Sequence, residues 1–211
     1  MEVLKDFLLF YGGLFAITNP IGAVPVFIAV TRNLSPEKRK EIARKTSTTV
    51  MVTLLVFALV GEWIFKFFGA STDAFSIAGG IILFRMSLEM LSGKLSSVKI
   101  SEEEEHISEE AVTLEEVAII PLAIPLLSGP GAITTTMLYM AKSSTMIEKS
   151  IVLLVVVAIG ITVWIILSAA NRIHQKLGTI GIKVMTRMMG LILASMAVQM
   201  VINGVKGAFN I

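Results

Sequence analysis

A chain of 211 residues that is 55% hydrophobic, only 16% charged and has a mean hydropathy of +0.81 carries more apolar surface than a soluble domain of this size can bury, which excludes an ordinary soluble fold. Its net charge of +2 provides no bulk field for nucleic acid, and the absence of cysteine excludes disulfides and thiolate metal sites. Six segments reach the roughly 17–25 residues needed to cross hydrocarbon, at 4–30, 43–67, 74–93, 116–140, 148–170 and 185–208.

The first span is preceded by one lysine against two acids and is interrupted by Asn19-Pro20, so it reads as a retained span rather than a leader. The break Thr18-Asn19-Pro20-Ile21-Gly22 frees backbone groups that lipid cannot satisfy, so it must face protein or a wet cavity. The next loop holds Arg32, Lys38, Arg39, Lys40, Arg44 and Lys45. With Lys94, Lys99, Arg172, Lys176, Lys183 and Arg187, one side carries twelve of the eighteen basic residues, which by the positive-inside rule is cytoplasmic. Both termini are then expected outside.

The second span carries Glu62 near its outer end, an interfacial position. In the third, Arg85 and Glu89 lie four apart on one helix face and are candidates for ion coupling, since charge inside a span is costly unless paired or hydrated. The same spacing also suits a structural ion pair. The acidic loop with Glu102 to Glu105, Glu109 and Glu110 reads as a solvated cytoplasmic linker, because acids contribute little to orientation. His106 and His174 fall in expected loops without a ligand cluster, so no metal or cofactor is implied.

The fourth span is broken at Ser128-Gly129-Pro130-Gly131-Ala132, 110 residues after the first break. At that offset Gly80, Ile82, Leu83, Met86 and Met90 match Gly190, Ile192, Leu193, Met196 and Met200, and Glu89 matches Gln199. A shared offset for breaks and later spans indicates an internal repeat. Three spans per half invert the second half, so the expected fold is all-α and integral to the membrane. It has six transmembrane helices in two inverted repeats (1–93 and 116–211, joined by a linker at 94–115), with spans 1 and 4 discontinuous.

Half-helices starting near Ile21-Gly22 and Gly131-Ala132 would offer N–H groups to a carboxylate. Those ending near Thr18 and Ser128 would offer carbonyls to an ammonium group. The expected substrate-binding set is Thr18, Asn19, Pro20, Ile21, Gly22, Ser128, Gly129, Pro130, Gly131 and Ala132, with Thr134 to Thr136 as further hydrogen-bonding candidates. A single kink is explained by packing; two at equivalent places point to a solute site.

The run from Asn19 through Pro25, the central acidic loop and the run from Pro121 through Ile133 resemble the MarC family over essentially the whole chain. Within it the chain looks most like archaeal small neutral amino acid transporters. The resemblance implies six spans in the cell membrane and carriage of glycine and alanine driven by an ion gradient, with proton favoured over sodium. It also allows an exporter. The alternatives are a passive channel or facilitator, and a regulatory membrane subunit that transports nothing. No enzyme reading survives, because there is no nucleotide-binding loop or catalytic triad at one depth. The implied partners are the amino acid, H+ or Na+ and lipid, with a homo-oligomer allowed and no nucleic acid.

Overall fold

The computed structural model describes residues 2–92 and 118–209, all of them helix or connecting turn. The acidic linker and its His106 lie outside the described residues. Among the described residues, four helices are long and apolar enough to cross a membrane. They are α3 (Pro36–Phe68), α4 (Thr72–Ser92), α6 (Met146–Ser168) and α7 (Ala170–Phe209). The remaining apolar sequence forms shorter pieces: α1 (Glu2–Thr18), α2 (Val24–Val30), a π-helical segment (Ala118–Leu127) and α5 (Pro130–Lys142).

Local chemistry sets these boundaries. Ser35 caps α3, its hydroxyl accepting from the Lys38 N–H at 3.4 Å, with Pro36 at the first helical position. Gly69, at φ 63°, closes the same helix while Ala70 N–H reaches the Phe65 carbonyl at 3.0 Å. Thr145 opens α6 through a capping box with Glu148. The π-helical segment contains Pro121 and Pro125, which cannot donate to an i−4 ladder, and Ser128 N–H reaches back five residues to Ala123.

Two boundaries differ from expectation. Residues 171–184, expected as loop, are helical, so α7 starts at Ala170 and carries His174; only Gly178, at φ 61°, interrupts it. Likewise most of the basic cluster after the first break lies on the opening turns of α3 rather than in a loop. There Arg39 gathers the turn: Nε donates to the carbonyls of Thr31 and Leu34, both at 3.0 Å, and Nη2 to that of Arg32 at 2.7 Å. One guanidinium therefore satisfies carbonyls left over as α2 gives way to α3.

Small residues set the helix packing, as suits a bundle whose exterior is as apolar as its core. A methyl group at Gly80 would lie 2.8 Å from the Ala197 carbonyl oxygen and 2.7 Å from Val201. One at Gly190 would lie 3.2 Å from both the Ser87 carbonyl oxygen and the Leu91 nitrogen. A shift of 110 residues converts the first set of contacts into the second, so α4 and α7 meet reciprocally. Gly160 packs on Met51 and Gly61 on Met137, joining α3 to α6 and α5. The Tyr11 hydroxyl meets Thr162 Oγ1 at 2.7 Å, joining α1 to α6. Leu8, Trp63, Ile81, Leu88, Trp164 and Leu191 face outward, the surface a lipid-embedded bundle presents.

Candidate functional site

The two breaks meet. α1 and α5 run antiparallel, with Phe10 stacked on Tyr139 at a centroid distance of 4.0 Å. At the other end of this contact, Gly131 lies beside Leu83, Met86 and Ile17, and a methyl group there would sit 3.5 Å from Ile17 Cγ2. The C-terminal end of α1 therefore packs against the N-terminal end of α5 through the Ile17 side chain.

At the first break Asn19 takes φ 41°, a left-handed conformation that asparagine tolerates better than most residues. Its N–H still donates to Phe15, and its Oδ1 accepts from Gly22 N–H at 3.2 Å. Thr18 Oγ1 donates to Phe15 at 3.3 Å. Pro20 has no N–H for Ala16. Among the described residues, no N–H donates to the carbonyls of Ala16, Ile17 or Thr18, all three residues being buried. The second helical piece starts at Val24 rather than near Ile21-Gly22 as expected, because the chain first makes a turn over Asn19 to Ala23. Gly22 N–H is thus already bonded, and the room its missing side chain leaves is filled by the Asn19 carboxamide.

At the second break Ser128 is fully buried, and both its N–H and its hydroxyl donate to the Ala123 carbonyl, at 2.9 and 2.8 Å. Gly129 begins α5 and accepts from Ile133 at 3.1 Å; Pro130 follows with no N–H to give. The N–H groups of Gly131 and Ala132 have no acceptor among the described residues, although both residues are buried. This is the unfilled donor end of a helix, with its partial positive charge. Of the four buried side-chain atoms that lack partners among the described residues, three lie at or near the breaks, Asn19 Nδ2, Thr135 Oγ1 and Thr136 Oγ1, and the fourth is His174 Nδ1 on α7. Each such group costs about 1–3 kcal/mol if nothing binds it.

The two breaks therefore divide their roles unequally. Orphaned carbonyls gather at the end of α1, and orphaned N–H groups gather at the start of α5. Arg85 and Glu89 stand apart from both. Their side chains pair at 3.3 Å on the exposed flank of α4.

A cavity of about 320 Å³ opens among α4, α5 and α7. Its lining includes Thr135, Ser76, Lys142, Gln199 and Asn203, of which sequence reasoning had singled out only Thr135 as a hydrogen-bonding candidate. Ser76, Lys142 and Asn203 carry no motif. Their association is created by helix packing, for which the linear sequence holds no signal.

Among known proteins, residues 4–209 match the family model described as MarC family integral membrane protein. A UPF0056 membrane protein of Pyrococcus abyssi is 66% identical over the full length of both chains. One from Methanocaldococcus jannaschii is 47% identical over 97% of this chain and 98% of its own. The Escherichia coli UPF0056 membrane protein YhcE is 34% identical over 95% of this chain and 92% of its own. No solved structure matches.

Proposed function

Because the chain belongs to the MarC family of integral membrane proteins, and is therefore a membrane-embedded, multi-pass protein, we propose that it is a secondary carrier of small neutral amino acids such as glycine and alanine. In this reading α1 with α2, and the π-helical segment with α5, form two broken crossings beside the four continuous ones. The six then make two inverted halves, for which the reciprocal contacts of Gly80 and Gly190 give support. The basic residues on the opening turns of α3 orient that end to the cytoplasm and the termini outward.

The observation that carries the reading is the meeting of Ile17 and Gly131. It brings the end of α1, whose Ala16 to Thr18 carbonyls lack a donor among the described residues, near the start of α5, whose Gly131 and Ala132 N–H groups lack an acceptor among them; in this reading the two serve the ammonium and the carboxylate of a zwitterion. Asn19, Thr18 and Ser128 border these groups, while Pro20, Ile21, Gly22, Gly129 and Pro130 shape the two turns. Leu83, Met86 and Ile17 crowd Gly131, so in this reading only a solute with a small side chain fits when the helices part.

The test is uptake of labelled glycine and alanine by liposomes containing only this protein, under separately imposed proton and sodium gradients. Accumulation above the outside concentration under one gradient is expected, the proton gradient first. Equilibration without accumulation would identify a passive facilitator, and no flux at all would remove transport from the reading.

A further inference from the structure

The cavity among α4, α5 and α7 is lined by no residue of either helix break, so its polar side chains need an explanation of their own. Lys142 ends α5 at its mouth. A methyl group at Gly204 would lie 2.7 Å from the Asp73 carbonyl oxygen, which sets the neighbouring Asn203 level with the first turn of α4. One turn further in, the Ser76 hydroxyl donates to the Met200 carbonyl at 3.0 Å. Thr135 and Met196 lie deepest, each seven residues along its own helix from Lys142 or Asn203, and so about 10 Å from the mouth.

Polarity changes along that depth. The mouth holds the Lys142 ammonium and the Asn203 carboxamide, both residues exposed, and among the described residues no carboxylate lines the cavity. Gln199 Nε2 donates to Asn203 Oδ1 at 2.8 Å, which leaves the Gln199 carbonyl as an acceptor and the Asn203 amide as a donor. Beneath them the wall is Leu138, the Tyr139 ring, Met196 and Met200, and the two methionines can repack around an irregular guest. Gln199 and Asn203 are exposed on a helix long and apolar enough to cross hydrocarbon, where open hydrogen-bonding groups are costly. A molecule with an anionic, hydroxyl-bearing head and an apolar tail answers both the mouth and the wall.

We propose that this cavity binds one anionic membrane lipid. Its phosphate sits on Lys142, its headgroup hydroxyls meet Gln199 and Asn203, and one acyl chain runs inward over Leu138, Met196 and Met200. Lysine meets a phosphate as a point charge at the end of a stem that can lie along apolar surface. At about 320 Å³ the space is at the small end of ligand cavities, so it takes one chain and leaves the other in the bilayer. A phosphocholine head carries its own cation and no hydroxyl, so the site selects against it. The assignment needs only that the protein is embedded in a membrane, and it stands apart from the carrier reading.

The test offers phosphatidylglycerol or phosphatidylcholine to the whole protein in neutral detergent and counts retained lipid by native mass spectrometry. A single phosphatidylglycerol is expected per chain, held about tenfold more tightly than phosphatidylcholine, as one charge-assisted contact allows. Lys142→Gln should remove that preference, whereas Lys176→Gln, which alters an exposed lysine elsewhere on α7, should keep it. On the unaltered protein, phosphatidylglycerol carrying a diazirine midway along one chain should label Leu138, Met196 and Met200 above the outward-facing Leu191. Equal retention of the two lipids, a preference untouched by Lys142→Gln, or labelling spread evenly over the outer surface overturns the site. Displacement of the lipid by inorganic phosphate alone also overturns it, since the ligand would then be a soluble anion.

Discussion

Asn19 holds the first break together in two ways: it adopts the left-handed conformation that ends α1 ahead of the turn into α2, and it accepts the Gly22 N–H. Its remaining amide hydrogens face buried space with no partner among the described residues. Replacement by alanine removes both the local acceptor and this free donor. Asn19→Ala is expected to cost about 1–2 kcal/mol of stability, seen as a lower melting temperature in detergent, and to raise the KM for glycine about tenfold. A change in melting temperature with KM untouched would make Asn19 a turn residue alone. The interruption at the Asn-Pro segment was legible in the sequence, because proline breaks a helix locally. That Gly22 makes room for the Asn19 side chain was not, since its neighbour is fixed by the closed turn.

At the scale of helices, proline and glycine punctuation located both breaks to within a few residues, and the caps at Ser35 and Thr145 stand at the same offset as the breaks. Gly80 and Gly190 stood out at the shared offset, but which backbone each touches depends on how the helices cross. Gly80 faces a carbonyl that cannot move aside, whereas Gly12 has nothing within 4 Å. Gly80→Ala should therefore destabilise the protein by about 1–3 kcal/mol through overpacking. Gly12→Ala should be neutral or stabilise by about 0.5–1 kcal/mol, from the intrinsic helix preference alone. Thermal unfolding of the two purified variants side by side checks both, and equal melting temperatures would argue against close α4–α7 contact. The helical character of residues 171–184 escaped the sequence reading, because the positively charged residues there resemble a loop when hydropathy is the only guide.

For the molecule as a whole, on the carrier reading of two related halves, the places where their sequences differ are where direction and coupling would arise. Glu89 stands where the other half has Gln199, so only one of the two positions can take up a proton. Arg85 pairs with it at 3.3 Å on the same flank. Glu89→Gln is expected to abolish accumulation of glycine under an imposed proton gradient while leaving glycine–glycine exchange within about twofold of the original rate. Unchanged accumulation would remove Glu89 from coupling. The measurement is counterflow and gradient-driven uptake in the same liposome preparation.

Membrane residence, helical class, the two interruptions and their common offset follow from the sequence alone, because hydropathy, proline and glycine act locally or repeat along the chain. Tertiary structure alone decided that the end of α1 meets the start of α5, that Arg85 and Glu89 pair away from that meeting, and that Ser76, Lys142, Gln199 and Asn203 surround one cavity. These are relations between helices distant in sequence. They depend on crossing angles set by which small residues let two backbones approach, a property of pairs of surfaces that no single segment encodes.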